Sequence, residues 1–126
     1  MKEIINTTNA PAPVGPYNQS VKVGDLLFVS GQIAIIPTTG ELVKGTIEEE
    51  TDQVMKNLGA ILSEANMTFE NIIKASVFVT DMNDYGKING VYAKYFDEET
   101  APARELVEVT NLPKFVNVEI SVIASK

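Results

Sequence analysis

Arg104 and Glu119 are the two residues whose types and settings point most directly to chemistry. Arg104 follows Ala101-Pro102-Ala103 and opens a strand pattern, and a guanidinium can hold a carboxylate through two parallel hydrogen bonds. Glu119 lies between two β-branched residues of the last strand pattern, where partial burial would let a carboxyl group handle protons or orient water. Their setting leaves other interpretations open: a surface salt bridge for Arg104, and a solvated strand face or an intersubunit ion pair for Glu119.

Tyr17 and Gly31 form a third candidate feature. Tyr17 follows Gly15-Pro16, and Gly31 follows Ser30. Because glycine has no Cβ, the backbone at such a position can approach a ligand closely. The simpler interpretation is that both segments are ordinary turns.

The absence of two residue types narrows the possible reactions. The chain has no cysteine and no histidine, which excludes thiolate nucleophiles, Ser-His-Asp triads and nearly every zinc, haem or iron–sulfur site. No Asp-rich loop suited to magnesium or calcium is visible either. We therefore expect no metal and no cofactor, and any catalysis must use Arg, Lys, Asp, Glu, Tyr, Ser, Thr or backbone groups.

Charge and hydropathy indicate the kind of partner. The net charge is −7 and the longest charge run, Glu48-Glu49-Glu50, is acidic, which argues against a nucleic-acid partner. No apolar run approaches the roughly 20 residues needed to cross a membrane, and the N-terminus lacks the features of a signal peptide. We expect a cytoplasmic protein with no membrane partner.

The first half of the chain predicts a hairpin and a helix within one domain that covers residues 1–126. Two strand patterns, 20–23 and 26–30, flank Gly24-Asp25, a two-residue turn typical of a hairpin. A helix over about 47–65 follows from apolar residues at helical spacing, with Thr46 and Glu49 as a capping box.

The second half predicts three more strands and one more helix. The patterns are a strand at 71–80, a helix at about 84–97 with a face that includes Tyr85, and strands at about 104–109 and 116–124. The order is then β-β-α-β-α-β-β, an α+β arrangement in which two helices cover one face of a single sheet. Leu106, Glu108, Glu119 and Ile123 are expected on the uncovered face, which needs a partner.

Six short motifs carry a resemblance to a known family over essentially the whole chain. They are Gly15-Pro16-Tyr17-Asn18-Gln19, Ser30-Gly31-Gln32, Asn89 with Tyr92, Ala101-Pro102-Ala103-Arg104, Leu112-Pro113-Lys114 and Val118-Glu119-Ile120. No single motif is specific, but together and in this order they resemble the Rid (YjgF-like) family of enamine/imine deaminases.

The resemblance implies a chorismate-mutase-like fold that forms a homotrimer around the uncovered sheet face, with clefts between subunits. It implies hydrolysis of 2-imino or 2-enamino acids to 2-keto acids and ammonia, without a cofactor. By the matching positions, Arg104 would hold the substrate carboxylate with help from the Gly31 backbone, and Glu119 would position the attacking water and manage the proton on the leaving nitrogen. Tyr17, Ser30 and Asn89 would line the pocket.

The chain departs from the family pattern directly after Arg104. Glu105 stands where the family usually has serine, and Leu106 stands where it often has cysteine. Strand alternation should turn Glu105 away from Arg104 and put Leu106 on the Arg104 side. Two other functions stay open, a non-catalytic module that senses a small carboxylate and an endoribonuclease. The sequence does not name the natural substrate.

Overall fold

A single mixed sheet with two helices on one face forms the molecule in the computed structural model, which describes residues 1–126. The strands are β1 Glu3–Ile5, β2 Ser20–Val23, β3 Leu26–Gln32, β4 Ile72–Val79, β5 Ala103–Glu108 and β6 Val118–Ser125, and the helices are α1 Ile47–Glu64 and α2 Tyr85–Ala93. Their order in the sheet is β1-β2-β3-β6-β4-β5. Only β4 and β5 pair in parallel. The expected α+β class is confirmed, and neither helix is long and apolar enough to span a bilayer.

The first hairpin forms where the sequence predicts it. β2 and β3 pair antiparallel, and the pairing closes at Val23 and Leu26. Gly24 has a φ of +59°, in the left-handed region that glycine enters without steric cost. β3 runs two residues beyond the predicted strand, to Gln32.

Local signals in the sequence also fix the start of α1. The Thr46 Oγ1 accepts the Glu49 N–H at 3.1 Å, and the Glu49 carboxylate accepts the Thr46 N–H at 3.1 Å. These two bonds form the predicted capping box. The helix ends at Glu64, and Asn66 follows with a φ of +58°. The buried apolar stripe comprises Val54, Met55, Leu58, Ile61 and Leu62.

The second helix is shorter than the sequence predicts. It begins at Tyr85, after a 3₁₀ turn at Met82–Asp84, and ends at Ala93. Beyond its end, Tyr95 and Phe96 place their rings 4.9 and 5.8 Å from the ring of Phe69. Tyr85, which the sequence assigns to the buried face, is 41% exposed, so the buried face consists of Ile88, Val91 and Tyr92.

One face of the sheet is covered by the helices, and the other face is exposed. On the helix side, the alternate residues of β4 and β6 are buried. On the other side, Phe28 and Val107 are exposed, and Ile123 and Glu119 are only partly covered. This face has no covering element in the chain.

Two residues expected on the uncovered face lie on the helix side instead. Leu106 and Glu108 pair with Val77 and Val79 of β4, both of which are fully buried. Leu106 also packs against the core. The expectation was wrong for this pair because alternation within β5 does not say which face either set of residues takes.

One strand lies outside the predicted order. β1 has only three residues and pairs with β2 through Ile4 and Val21. Three residues are too few to show a clear alternation of apolar and polar side chains, so the sequence pattern does not predict this strand.

Candidate active site

Arg104 is held by three side chains of α2. It lies in β5, the strand at one edge of the sheet. Its Nη1 donates to Asn89 Oδ1 at 2.8 Å, and its Nη2 donates to the Tyr85 hydroxyl at 3.1 Å. The guanidinium carbon lies 4.8 Å from the ring centroid of Tyr92, within cation–π distance. These three contacts fix the orientation of the planar Arg104 guanidinium group.

The charge of Arg104 has no counter-ion within the chain. The two ion pairs of the chain join Asp52 to Lys56 and Glu105 to Lys74, so the interpretation of Arg104 as a salt bridge within the chain is wrong. A guanidinium carries five N–H donors, and the two bonds above use two of them. The remaining donors can take both oxygens of a carboxylate.

Glu119 lies on the uncovered face, beside a bulge in β3. The β3–β6 register shifts between Val29 and Gln32, so Ser30 and Gly31 form a bulge, a device that is common next to active sites. A Cβ at Gly31 would lie 2.8 Å from the Glu119 Cδ, so any larger residue there would require the Glu119 carboxylate to move. Burial raises the pKa of the Glu119 carboxyl, as expected for a carboxyl group with no cation beside it.

A cleft of about 260 Å³ opens beside Glu119. Its walls include Tyr17, Gly31, Pro113 and Lys114. Tyr17 is 51% exposed and lies at the open side. Lys114 takes a φ of +56°, which is uncommon outside glycine and adds local strain to this wall.

Buried Gln19 builds the outer wall of the cleft. It is 2% exposed. Its Nε2 donates to the carbonyls of Thr7, Ala10 and Pro11, and its Oε1 accepts the Thr7 N–H at 2.6 Å. One side-chain amide thereby anchors the proline-rich segment, residues 10–16, part of which lines the cleft. Gln19 is the last residue of the motif Gly15-Pro16-Tyr17-Asn18-Gln19, but no local sequence pattern predicts that its side chain anchors this segment.

Ser30 has a supporting position. Its hydroxyl donates to the Asn18 carbonyl at 2.6 Å, which ties the bulge to the segment that carries Tyr17. Ser30 lines a neighbouring groove with Phe28 and Ile123 rather than the cleft of Glu119.

The predicted site residues therefore form two separate groups within one chain. Arg104 and Asn89 lie on the helix side of the sheet, whereas Tyr17, Gly31 and Glu119 surround the cleft that opens on the uncovered side. β4 stands between β5 and β6, so the strands of Arg104 and Glu119 are about 10 Å apart at the usual strand spacing. Within one chain, the side chains of Arg104 and Glu119 therefore point away from each other, towards opposite faces of the sheet.

Glu105 does not compete for Arg104. It points to the uncovered face, where its carboxylate accepts from the Ser76 hydroxyl and pairs with Lys74 at 2.9 Å. The hydrogen bond from Ser76, followed by that from Lys74, holds the pKa of Glu105 below its usual range. Leu106 lies on the Arg104 side, as alternation predicts, but it packs into the core rather than lining the cavity beside Arg104.

Glu50 is a positioning residue that the sequence does not reveal. It is 7% exposed, and its carboxylate accepts the backbone N–H groups of Asn117 and Val118 at 2.8 and 3.2 Å. These two residues directly precede Glu119. In the sequence, Glu50 looks like one of three acidic residues placed to interact with the helix dipole.

Comparisons with known proteins agree on one family. The model of the family described as Endoribonuclease L-PSP matches residues 7–126. A RutC family protein of Pyrococcus horikoshii is 53% identical over 100% of this chain and 99% of its own length. The mouse protein named 2-iminobutanoate/2-iminopropanoate deaminase is 44% identical over 98% of this chain and 91% of its own length.

Solved structures match along the full length as well. A Yersinia pestis protein described as a member of the conserved Rid family has a TM-score of 0.97 and 45% identity, with 100% of both chains covered. E. coli TdcF, solved with bound serine, has a TM-score of 0.92 and 42% identity, with 98% of both chains covered. The chain belongs to the Rid (YjgF-like) family.

Proposed function

We propose that this protein hydrolyses 2-imino acids, and their enamine tautomers, to 2-keto acids and ammonia. The observation that carries the proposal is the Arg104 guanidinium, which is fixed by Asn89, Tyr85 and Tyr92 and has no counter-ion within the chain. A carboxylate is the simplest ligand for a guanidinium group with free N–H donors. Every 2-imino acid carries one beside its reactive carbon.

The reaction needs no covalent nucleophile. Water adds to the carbon of the protonated imine and gives a carbinolamine, while Glu119 takes a proton from that water. Glu119 then gives this proton to the nitrogen and becomes a carboxylate again. The C–N bond breaks, ammonia leaves, and the Glu119 carboxylate takes the hydroxyl proton of the carbinolamine as the carbonyl forms and passes it to solvent. An enamine first takes a proton at its β-carbon. Holding the carboxylate and the water in place can account for several kcal/mol of barrier lowering.

We place the reaction in clefts between the subunits of a homotrimer. Each chain carries an Arg104 group and a Glu119 group that face different sides of the sheet, so a neighbouring copy has to bring them together. A head-to-tail contact that closes into a ring joins unlike surfaces of identical chains. The exposed apolar residues Phe28 and Val107 on the uncovered face favour burial against other copies.

The relatives support the same chemistry. The mouse relative is named for deamination of the four- and three-carbon imino acids, and TdcF binds serine, which carries a carboxylate beside an amino-bearing carbon. Both ligands present the groups that Arg104 and Glu119 would recognise.

A second candidate is a sensor that binds a small carboxylate without converting it. The bound serine in TdcF favours this alternative, because serine carries no imine. The endoribonuclease in the family description has less support here. A chain with net charge −7 and no histidine lacks the basic surface and the usual general base that RNA cleavage employs.

The deciding experiment measures turnover of 2-iminopropanoate made in place by an amino-acid oxidase acting on alanine. Semicarbazide traps the remaining imine as an absorbing product, so an imine hydrolase lowers the rate at which that product forms. We expect a decrease proportional to protein concentration, with Arg104→Ala as the matched control. Binding of pyruvate or serine with no decrease would favour the sensor instead.

A further inference from the structure

The helix that holds Arg104 in place is weak on its own. Helix α2 has nine residues, contains Gly86 and Gly90, and begins without a hydrogen bond from a capping side chain. Glycine is among the least favourable residues inside a helix, and isolated helices of this length are barely stable in water. The position of α2 therefore depends on its contacts with the rest of the fold.

The partners of Arg104 form a single stripe along α2. Tyr85, Asn89 and Tyr92 stand four and then three residues apart, a spacing that puts them on one face of a helix. All three contact the guanidinium, so a small rotation or shift of α2 would displace them together. Whatever fixes α2 also fixes the orientation of Arg104.

Four aromatic rings connect the end of α2 to helix α1. They belong to Phe69, Tyr92, Tyr95 and Phe96 (the aromatic cluster). The ring centroid of Phe96 lies 4.6 Å from that of Tyr92 and 5.8 Å from that of Phe69. The centroids of Phe69 and Tyr95 are 4.9 Å apart. A Cβ at Gly59 of α1 would lie 3.0 Å from the Phe69 ring, so the missing side chain lets the cluster pack closely on α1.

A hydrogen bond between side chains also joins the aromatic cluster to α1. The Tyr95 hydroxyl donates to Asp52 Oδ1, and Asp52 lies seven residues before Gly59, on the same face of α1. The bond from Tyr95, partly offset by burial, holds the pKa of Asp52 below its usual range. Burial, followed by the bond to Asp52, raises the pKa of Tyr95. The pair therefore stays a phenol and a carboxylate at physiological pH, and hydrogen bonds to a charged acceptor are the stronger kind.

We infer that Tyr95 and Asp52 are positioning residues for Arg104. Their hydrogen bond fixes the end of α2 against α1, and α2 in turn presents its stripe of three side chains to the guanidinium. Neither residue needs to touch the substrate for this effect. The inference rests on the proposed function in one respect, since it takes Arg104 to bind the substrate carboxylate.

The first test observes Arg104 directly and needs no turnover. Arg104 is the only arginine of the chain, so its guanidinium gives one unambiguous set of nitrogen NMR signals. In the unmodified protein, the hydrogen bonds to Asn89 and Tyr85 should slow rotation of the guanidinium and keep its Nη signals separate. Tyr95→Phe keeps the ring, removes only the hydroxyl, and should broaden or merge these signals. Unchanged signals in this variant would overturn the inference, whether or not the protein hydrolyses imines.

The second test separates KM from kcat. Tyr95→Phe should raise KM for 2-iminopropanoate at least about threefold and lower kcat less, because a loosened guanidinium weakens carboxylate binding in the ground state and the transition state alike. A general loss of folded protein would instead lower kcat at constant KM, and that result would overturn the positioning role. Asp52→Ala should match Tyr95→Phe. Asp52→Asn should recover most of the loss, since an amide oxygen still accepts a hydrogen bond from the hydroxyl.

Two comparisons identify the path of the effect. Lys56→Gln removes the other partner of Asp52, an ion pair of 3.2 Å within α1, and should leave KM and kcat unchanged. In an Arg104→Lys background, Tyr95→Phe should change KM by less than about twofold, because residues of one network have non-additive effects. Equal losses in Lys56→Gln and Tyr95→Phe, or full additivity with Arg104→Lys, would overturn the inference and leave the hydrolase standing. Absence of turnover in the unmodified protein would overturn the proposed function, and the NMR comparison would still decide the positioning role.

Discussion

At the scale of single residues, Arg104 owes its properties to neutral partners. An amide, a phenol and an aromatic face position the guanidinium without cancelling its charge. A carboxylate partner within the chain would have competed with any anionic ligand. Glu119 is the counterpart, a partly buried carboxyl with no cation beside it, whose pKa is raised by burial.

Loss of Arg104 should abolish most activity without loss of assembly. Arg104→Ala should lower imine hydrolysis by at least about a hundredfold, because a bidentate charge-assisted contact in a partly dry cleft contributes a few kcal/mol and 1.36 kcal/mol corresponds to a factor of ten. Arg104→Lys should retain only part of the activity, since an ammonium group keeps the charge but cannot form two parallel hydrogen bonds to a carboxylate. Turnover and light scattering check this. Full activity in the alanine variant would refute the carboxylate role, and loss of the oligomer would return Arg104 to an ion pair at an interface.

The pH dependence should report Glu119. If its carboxylate accepts the proton from water, protonation stops the reaction, so the rate falls as the pH drops through the pKa of Glu119. Burial raises that pKa, and the fall should therefore occur at a higher pH than for an ordinary glutamate. Glu119→Gln should lower kcat and remove this acidic limb. An unchanged rate and pH profile in the glutamine variant would show that Glu119 has no such role.

At the scale of elements, the site depends on buried polar side chains that join distant segments. Gln19 anchors the proline-rich segment at the cleft, and Glu50 of α1 binds the start of β6 next to Glu119. Asn57 of α1 donates to the carbonyls of Ile33 and Ile35, just beyond the bulge of β3. Helix α1 thereby holds both strands that carry the Glu119 group.

Removal of the Glu50 carboxylate should destabilise the fold. Glu50→Ala leaves the N–H groups of Asn117 and Val118 without their acceptor, so we expect the free energy of unfolding to fall by about 2–4 kcal/mol. Glu48→Ala is the matched control, an exposed acidic residue in the same helical turn, and should cost less than about 1 kcal/mol. Denaturant unfolding measures both. Equal effects of the two substitutions would show that the hydrogen bonds of Glu50 add nothing beyond the helix-dipole interaction.

At the scale of the whole molecule, a two-layer arrangement leaves one sheet face without a partner. Phe28 and Val107 are exposed there, and Lys74, Ser76 and Glu105 form a polar cluster on the same face. The exposed face results from covering only one face of the sheet with helices. The separation of the Arg104 group from the Glu119 group results from strand order and register, which place them on opposite faces.

Two variants that are inactive alone should therefore recover activity when they assemble together. When Arg104→Ala and Glu119→Gln chains are co-expressed, roughly a quarter of the clefts in a randomly assembled ring combine an intact Arg104 from one chain with an intact Glu119 from the next. We expect about that fraction of normal turnover, with light scattering giving the mass of three chains. Each variant expressed alone is the control. A co-expressed mixture no more active than either variant, or a monomer at micromolar concentration, would contradict the shared cleft.

The sequence by itself determined the features that depend on neighbours along the chain. The capping box at Thr46 and the turn at Gly24 need only a few adjacent residues, and the alternation in β6 follows from side-chain period. The residue types that match the family motifs are likewise readable before any fold is known. The end of α2 and the strand β1 were not predictable, since packing on Phe69 and pairing with β2 involve residues distant in sequence.

Only the tertiary structure decided where the candidate site residues lie. Arg104 pairs with Ala75 of β4, which is buried on the helix side, and Glu119 pairs with Phe78, which lies on the other side. Alternation fixes which residues of one strand share a face, but strand pairing decides which face that is, and a shift of one residue exchanges the two. The roles of Glu50 and Gln19 depend on contacts across the chain for the same reason. The residue types predict the chemistry, but strand register determines that Arg104 and Glu119 of one chain lie on opposite faces of the sheet.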